Sequence, residues 1–298
     1  DEDDVEGFTE METLDSEAAA AFAKEVNVGQ NIDIASNGDV YNILLIGSDT
    51  RDGWYGNSDS MILASINSQT KTIYMTSFMR DLYANIPNVG IRKLNSAYAI
   101  GGGPLLVSTI ESNYRVDIDN YASVDFSSMA NIIDLVGGVD LEVSTQEAGY
   151  INMYLDEQCR LQGLNASDYY VAGGGITHLN GNQAGGFARI RYTSRGNEHS
   201  DYGRTSRQRE ILVQLMQKAR SLDATTLLAV VNNMLPLITH NIDAATVTTL
   251  IANAPSYINY DIQTDRIPYD GLYSNLGEEL VPDFEATINR LHQTIYGN

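Results

Sequence analysis

The sequence concentrates arginine in a way that indicates an anion-binding site. Of its 18 basic residues 14 are arginine, and six of these fall between positions 189 and 209. The arginine side chain is a planar fork of donors that fits phosphate oxygens bidentately, which a lysine ammonium group does not. Surface salt bridges to the abundant aspartate and glutamate would give the same composition, so the spacing has to separate the two interpretations.

The spacing of these arginines predicts two clusters. Arg189 and Arg191 are two positions apart, and in an extended segment their side chains would share one face. Arg204, Arg207 and Gln208 follow at i, i+3 and i+4 at the start of a predicted amphipathic helix, which also gives them a common face. Together the two clusters predict a clamp for pyrophosphate.

Two aspartates stand at the ends of predicted strands. Asp49 follows the apolar run 41–47, and Asp59 precedes the next strand. Carboxylates from adjacent strands can converge, and with phosphate oxygens and waters they form the usual protein environment of Mg²⁺. Either aspartate taken alone is equally typical of a turn cap. Arg80, at the end of the following hairpin, is expected to face the same ligand.

Several other chemistries are excluded or weakened. The sequence has no G-x-x-x-x-G-K-[ST] nucleotide loop, no G-x-S-x-G elbow and no H-E-x-x-H zinc motif. Its single cysteine, Cys159, can form neither an internal disulfide nor a cysteine-based zinc site. The formal net charge of −21 argues against nucleic-acid binding, which requires a basic surface. The glycine run 101–103 is a candidate phosphate cradle at a helix start, although such runs are more often turns.

The elements that must position these residues are predicted as alternating strands and helices. This pattern predicts an α/β (α+β layered) fold with a central mixed β-sheet flanked by helices. Residues 1–38 are predicted as an acidic lead-in or linker, residues 39–298 as the catalytic domain, and residues 145–180 as an irregular insertion. The predicted strands are 41–47, 60–66, 72–77, 121–124, 139–143 and 258–262, and the predicted helices are 104–114, 126–135, 203–220, 223–233, 243–253 and 282–296. No run of 18 apolar residues predicts a membrane span.

Seven short motifs resemble, in the same order, those of the LytR-CpsA-Psr family. They lie at 42–49, 57–60, 77–81, 93–98, 136–140, 189–191 and 201–208. The resemblance is strongest over residues 41–220, and a looser match follows in Ile267-Pro268-Tyr269-Asp270-Gly271. Each motif is weak on its own, but seven in order are specific.

The resemblance implies a function and a set of partners. Members of this family are anchored by an N-terminal membrane helix, which is expected to precede the sequence given, and face outward in mostly Gram-positive bacteria. The implied activity is Mg²⁺-dependent transfer of a glycopolymer phosphate, from teichoic acid, capsule or a related polymer, from a polyprenyl pyrophosphate carrier to peptidoglycan. The implied position is therefore the extracellular face of the cell membrane, and no nucleic acid is expected as a partner.

The resemblance also implies roles for individual residues. By position, Asp49 and Asp59 resemble the Mg²⁺ ligands, and Asp201 resembles a carboxylate that acts on the acceptor hydroxyl. Arg80, Arg189 and Arg191 join Asp201 as the catalytic set. The residues that resemble the pyrophosphate-binding set are Arg80, Arg189, Arg191, Arg204, Arg207 and Gln208.

One departure from the family pattern leaves alternatives open. Asn57 stands where the family usually has an arginine, and Arg51 is the candidate replacement on the phosphate. The loss of that arginine favours a non-catalytic module that binds wall polymer or lipid phosphate. The retention of Asp49, Asp59, Arg80 and Asp201 favours the transferase. A pyrophosphatase that releases the polymer to water differs from it only in the acceptor.

Overall fold

A computed structural model describes residues 20, 22–24, 26, 29–48, 56–196, 200–276 and 279–297. In chain order its elements are β1 (Val40–Ser48), β2 (Ser58–Asn67), β3 (Thr72–Phe78), β4 (Tyr83–Ile86), β5 (Gly90–Lys93), α1 (Ser96–Tyr114), β6 (Asn120–Asp125), α2 (Phe126–Leu135), β7 (Val139–Val143), α3 (Thr145–Gln162), β8 (Gly175–Leu179), α4 (Gly181–Arg189), α5 (Ser200–Arg220), α6 (Ala224–Met234), β9 (Thr239–His240), α7 (Ala244–Tyr257), β10 (Asp261–Ile267), β11 (Tyr273–Leu276), β12 (Glu279–Pro282) and α8 (Phe284–Tyr296). Short 3₁₀ helices occupy Ala166–Tyr169 and Leu235–Leu237.

A six-stranded mixed sheet in the order β10–β3–β2–β1–β6–β9 organises these elements. Strand β1 pairs antiparallel with β2 and parallel with β6, while β10 pairs parallel with β3. Strands β2 and β3 form the predicted antiparallel hairpin, and the side chain of Asn67 accepts the backbone N–H groups of Gln69 and Thr70 in its turn. The predicted mixed sheet flanked by helices is therefore confirmed.

The alternation of side chains along β1 divides the core between the two faces of the sheet. Leu44 and Ile46 belong to the larger hydrophobic cluster, which packs α1 and α8 against one face. Leu45 points to the opposite face, where it meets apolar side chains of α5 such as Leu212. The second face therefore carries α5, the helix on which several predicted site residues lie.

The boundary predicted at residue 38 is too late for the described residues. Phe22 is 2% exposed and packs edge-to-face against Tyr83 and Phe284, with ring centroids 5.7 Å apart in both pairs. Farther along, Arg115 Nε donates to the carbonyl of Ile32 at 2.8 Å. Burial of a large aromatic side chain is a strong stabilising term, so Phe22 and the described residues that follow it belong to the folded domain. Residues 1–19 lie outside the described residues.

The predicted irregular insertion at 145–180 is largely regular. Ser144 and Glu147 form a capping box at the start of α3, with Glu147 N donating to Ser144 Oγ at 3.1 Å and Ser144 N to Glu147 Oε2 at 2.8 Å. The helix ends at Gly163, which takes φ 69°. Strand β8 then pairs antiparallel with β7, so this segment forms a helix and a small sheet beside the site.

The glycine run 101–103 lies at a kink where two helical segments of α1 meet, so the predicted helical segment up to Tyr114 does start here. Gly101 and Gly102 have non-helical backbone angles, and Gly102 has φ 63°. A Cβ atom on Gly103 would lie 2.3 Å from the ring of Tyr121, so this glycine permits close packing of α1 on β6. This packing gives Gly103 a structural role, and the phosphate-cradle interpretation stays a prediction. Among the described helices, none is both long and apolar enough to cross a bilayer.

Candidate functional site

Three arginines from separate parts of the chain share two aspartates. Arg80 Nε donates to Asp201 Oδ2 at 2.9 Å, and its Nη1 lies 3.5 Å from Asp59 Oδ1. Arg204 approaches Asp59 Oδ1 and Asp201 Oδ1, each at 3.5 Å. Arg191 lies 3.5 Å from Asp201 Oδ1 and 3.9 Å from Asp59 Oδ1. We call these five residues the arginine–aspartate cluster.

The fold explains why these side chains meet. Asp59 is the second residue of β2, and Arg80 follows the end of β3. Because these neighbouring strands are antiparallel, both residues lie at the same end of the strand pair. Asp201 and Arg204 are one turn apart at the start of α5, where the helix dipole favours a carboxylate. Arg191 enters from the loop after α4. Convergence of Arg80, Arg191 and Arg204 agrees with the sequence prediction.

Charge neutralisation within the cluster sets its protonation. Burial acts to raise the pKa of Asp201, but the positive charges of Arg204, Arg80 and Arg191 outweigh burial and lower it. Burial lowers the pKa of Arg204 to about 10, with Asp201 and Asp59 acting in the opposite direction. At neutral pH Asp201 is therefore a charged carboxylate and Arg204 a charged guanidinium group. The aspartates take positions beside the arginines that an anionic ligand can occupy.

An additional carboxylate, that of Asp81 in the motif 77–81, lies beside the cluster. Asp81 Oδ2 lies 3.5 Å from Arg80 Nε, and its Oδ1 lies 3.5 Å from Lys93 Nζ. Burial raises the pKa of Asp81, while the charges of Arg80 and Lys93 act to lower it. The pairing of Asp81 with Arg80 and Lys93 was not a sequence prediction, because a lone aspartate after a strand gives no signal of its partners.

Three buried polar atoms near the cluster have no hydrogen-bond partner among the described residues. They are Arg204 Nε, Arg189 Nε and the side-chain oxygen of Gln208. Buried polar groups are nearly always satisfied in folded proteins, so unsatisfied ones indicate a missing ligand or water. Three such atoms around one site support a ligand with several hydrogen-bonding oxygens.

Arg189 does not share a face with Arg191. It is the last residue of the helix α4, whereas the prediction assumed an extended segment. Its guanidinium group lies over the ring of Phe126, with Cζ 3.9 Å from the centroid, and 4.9 Å from that of Tyr154. Arg189 therefore lies against the aromatic wall of the site rather than among the aspartates.

Arg207 does not reach the cluster, because its side chain is used elsewhere. It is completely buried, and its Nε donates to Glu147 Oε1 at 2.9 Å. Its remaining hydrogen bonds are made to backbone carbonyl groups of the loop that follows α4. The predicted common face of the helix holds for Arg204 and Gln208, but the structure gives Arg207 a different environment.

The predicted metal site can be assessed only in part. Asp49 and Arg51 lie outside the described residues, so their predicted roles stay predictions. Within the described ranges, no three His, Cys, Asp or Glu side chains come together as a ready-made metal site. Asp59 nevertheless offers a carboxylate beside the hydroxyl-bearing Ser48 and Ser60. A single described carboxylate suits Mg²⁺, which usually completes its shell with waters and substrate phosphates.

An apolar cavity of about 200 Å³ opens beside the cluster. Its polar lining includes Asp59 and Gln208, and its walls come from β1, β2 and β6 and from α2, α4, α5 and α6. Small residues of α4, namely Ala184, Gly185 and Ala188, form part of the wall and leave the space open. The remaining apolar lining is provided by Leu45, Ile46, Gly47, Ala122, Val124, Phe126, Met129, Ile132, Ile133, Ile211, Leu212, Leu215, Met234 and Ile238.

This cavity was not located from the sequence, although a signal was present. Ala184, Gly185 and Ala188 fall at i, i+1 and i+4, which places small residues on one helical face. Small residues on the inward face of a helix leave space between that helix and the sheet, and the cavity occupies this space.

Comparisons with known proteins agree with this architecture. The LytR_cpsA_psr family matches residues 7–290. The chain is 35% identical over 272 residues to the "Polyisoprenyl-teichoic acid--peptidoglycan teichoic acid transferase TagU" of Oceanobacillus iheyensis, covering 87% of this chain and 76% of that protein. It is 31% identical over 210 residues to the protein of the same name from Enterococcus faecalis, covering 67% of this chain and 62% of the relative.

Solved structures show the same fold. The "LytR-CPS2A-psr family protein YwtF (TagT) with bound octaprenyl pyrophosphate lipid" superposes with a TM-score of 0.62 at 21% identity. The superposition covers 91% of this chain and 96% of that one. Among the curated relatives, the chain spans between about half and three quarters of their length.

Proposed function

The chain belongs to the LytR_cpsA_psr family, and on this basis we propose that it is a glycopolymer phosphotransferase. In the proposed reaction, a polymer attached through phosphate to a polyprenyl pyrophosphate carrier is transferred to peptidoglycan. The relative from Oceanobacillus iheyensis is named for transfer of teichoic acid from a polyisoprenyl carrier to peptidoglycan. That the polymer transferred by this chain is a teichoic acid or a related glycopolymer is part of the proposal.

The observation that carries the proposal is the junction of the cavity with the arginine–aspartate cluster. Asp59 belongs to the cluster and also lines the cavity. A polyprenyl pyrophosphate has two parts that match these two regions, a long apolar prenyl chain for the cavity and a compact anion for the cluster. The apolar walls favour burial of the chain, and arginines bind pyrophosphate oxygens through charge-assisted hydrogen bonds.

Binding of pyrophosphate requires the arginines to exchange partners. The contacts of Arg191 and Arg204 with the two aspartates are 3.5 to 3.9 Å long, which is beyond ideal hydrogen-bond length. Pyrophosphate oxygens can therefore replace the aspartates as hydrogen-bond acceptors of these guanidinium groups at little cost in free energy. The unsatisfied Nε of Arg204 would gain an acceptor at the same time.

Asp201 is the proposed base for the acceptor. The acceptor hydroxyl oxygen attacks the phosphorus that bears the polymer, and the bond from that phosphorus to the bridging oxygen breaks. The carrier leaves as polyprenyl monophosphate, and Asp201 takes the hydroxyl proton. Arg204, Arg80 and Arg191 lower the pKa of Asp201 in the resting site. Once these arginines share their charge with pyrophosphate, that pKa should rise and Asp201 should become a stronger base.

Mg²⁺ is the proposed cofactor, with Asp59 and Asp49 as its protein ligands. When bound, Mg²⁺ neutralises charge on the phosphate oxygens, the electrostatic assistance that phosphoryl transfer needs most. The pyrophosphate-binding residues of the proposal are Arg80, Arg189, Arg191, Arg204 and Gln208, with Arg51 as an additional candidate. Arg207 acts indirectly.

A membrane-bound, outward-facing position is also proposed. A lipid-linked donor stays in the bilayer, and a peptidoglycan acceptor lies outside the cell membrane. The enzyme must therefore work at the outer surface of that membrane, and an N-terminal anchor preceding this chain would hold it there.

The proposal is tested with a polyprenyl pyrophosphate-linked disaccharide as donor, a peptidoglycan oligosaccharide as acceptor and Mg²⁺. Mass spectrometry should detect a phosphodiester-linked product with wild-type protein, and Asp201→Asn should bind the donor but give little product. Release of sugar phosphate without a transfer product would support the pyrophosphatase alternative. Donor binding with no turnover under any acceptor would support a non-catalytic module. Absence of donor binding would refute the proposed function.

A further inference from the structure

The side chain of Arg207 donates hydrogen bonds to the backbone of the loop at 190–195. One guanidinium nitrogen, Nη1, donates to the carbonyl of Ile190 at 3.1 Å. The other, Nη2, donates to the carbonyls of Thr193 at 3.0 Å and Ser194 at 3.1 Å. A single side chain of α5 therefore holds three backbone groups of a loop that contains no regular secondary structure.

Glu147 completes the arrangement on the opposite side of Arg207. Its carboxylate is 2% exposed, accepts from Arg207 Nε at 2.9 Å and lies 3.3 Å from Arg195 Nη1. Burial acts to raise the pKa of Glu147, but hydrogen bonds from the backbone of Ser144 and from Arg207, with the charge of Arg195, lower it. Arg195 also pairs with Glu210. The loop is thus tied at its end to both α3 and α5.

The arrangement is costly if its only role is stability. Removing two charges from water carries a desolvation penalty, and well-packed apolar residues often stabilise a core as well as a buried ion pair does. The geometry of Arg207 is instead directed at the loop backbone. That loop carries Arg191, which has 40% of its side chain exposed and makes the longest contact in the arginine–aspartate cluster, at 3.9 Å. A half-exposed arginine depends on its backbone for its direction.

We propose that Arg207, paired with Glu147, is a positioning residue that holds the 190–195 loop so that Arg191 faces the pyrophosphate. Arg207 itself does not contact the ligand. This inference rests on the proposed function, because it assigns to Arg191 a phosphate as its target.

The main test uses Arg207→Lys, which keeps the positive charge beside Glu147 but cannot reach three carbonyl groups. Farnesyl pyrophosphate is the ligand in titration calorimetry, with Arg191→Ala and the double variant measured alongside. We expect Arg207→Lys to weaken binding about tenfold, since small displacements of a binding group are costly. The double variant should bind no more weakly than Arg191→Ala alone, because Arg207 acts through Arg191.

A second readout reports the order of the loop itself. The loop contains two trypsin sites, after Arg191 and after Arg195, and the proposed arrangement should protect both in the wild-type protein. Arg207→Lys should be cut there at least several-fold faster. Arg115→Lys is the matched control, because Arg115 Nε also holds a backbone carbonyl, that of Ile32 at 2.8 Å, away from the site. The control should keep wild-type affinity and wild-type cleavage after Arg191.

The outcomes distinguish failure of the positioning role of Arg207 from failure of the proposed function. If the effects of Arg207→Lys and Arg191→Ala multiply, or if Arg207→Lys binds as the wild type does, positioning through Arg191 is refuted. If Arg207→Lys does not fold, Glu147→Gln replaces it, because the amide preserves the volume and an acceptor for Arg207. If the wild-type protein does not bind farnesyl pyrophosphate, the proposed function fails, whereas cleavage of the loop still tests the role of Arg207 in its order.

Discussion

Replacing Arg80 with lysine should weaken pyrophosphate binding strongly while leaving the fold intact. Arg80 contacts Asp201 at 2.9 Å and Asp59 at 3.5 Å through different nitrogens, so its guanidinium group bridges both carboxylates. Lysine preserves the charge but offers one compact ammonium group in place of the planar fork. It therefore cannot bridge two phosphate oxygens in the way that arginine does.

The magnitude follows from the bonds that are lost. A hydrogen bond to a charged group contributes about 1.5–3 kcal/mol, so Arg80→Lys should weaken pyrophosphate binding roughly 10- to 150-fold. Stability should change by less than about 1 kcal/mol, because lysine keeps a positive charge beside both aspartates and the side chain is in partial contact with solvent, at 25% exposure. The aspartates that remain can still pair with Arg191 and Arg204.

The assay is calorimetric titration of farnesyl pyrophosphate into wild type, Arg80→Lys and a matched control, with urea unfolding of each. Arg290→Lys is the control, because Arg290 lies on α8, which packs on the face of the sheet opposite α5, and pairs with Asp265 at 3.1 Å. It should lose no affinity. Full affinity in Arg80→Lys would contradict the reasoning, because it would show that charge alone is recognised. A large loss of stability would show that Arg80 is primarily structural.

Four further predictions test other parts of the structure. Ala188→Phe should fill part of the cavity and weaken binding of long-chain polyprenyl pyrophosphates by at least about tenfold, with no effect on inorganic pyrophosphate in the same calorimetric assay. Asp59→Asn should abolish the enhancement of pyrophosphate binding by Mg²⁺, and an unchanged Mg²⁺ dependence would remove Asp59 as a ligand. Gly103→Ala should destabilise the protein by about 1–3 kcal/mol in urea unfolding because of the Tyr121 contact, whereas Gly149→Ala, with nothing within 4 Å of its added Cβ in α3, should stabilise it by about 0.5–1 kcal/mol. Because the pKa of Glu147 is lowered below its ordinary value of 4.5, its stabilisation is complete above that pH and lost as the pH falls through the lower folded value; Glu147→Gln should therefore reduce the loss of stability between pH 7 and about pH 3, measured by urea unfolding.

Local patterns predicted much of the fold, and they succeeded where the pattern itself determines the element. The helix 126–135 and the strand 139–143 were predicted with their observed bounds, since an apolar repeat and a pair of glycines delimit them. The helix α3 was missed because its sequence is polar and contains Gly149. Its capping box at Ser144 and Glu147 was the available signal, and attention to that box would have located the helix start.

The candidate site was predicted only to the extent that side-chain direction follows from spacing. Arg80, Arg191 and Arg204 meet as expected, although residues 80 and 204 are far apart in the sequence. Arg189 was misjudged because an extended strand was assumed where α4 ends. Arg207 was misjudged because spacing along one helix cannot reveal Glu147, which is supplied by another. Partners from distant elements decide between binding a ligand and supporting a loop.

The two edges of the central sheet have a consequence for the behaviour of the protein in concentrated solution. One edge is closed by β9, which is only two residues long. The other edge is β10, whose charged and polar residues are Asp261, Gln263, Thr264, Asp265 and Arg266. Exposed strand edges are templates for intermolecular pairing, and short or charged edge strands oppose that pairing. The short strand β9 and the polar strand β10 therefore oppose pairing between copies at the two edges of the sheet, and replacing Gln263 and Asp265 with valine should promote aggregation.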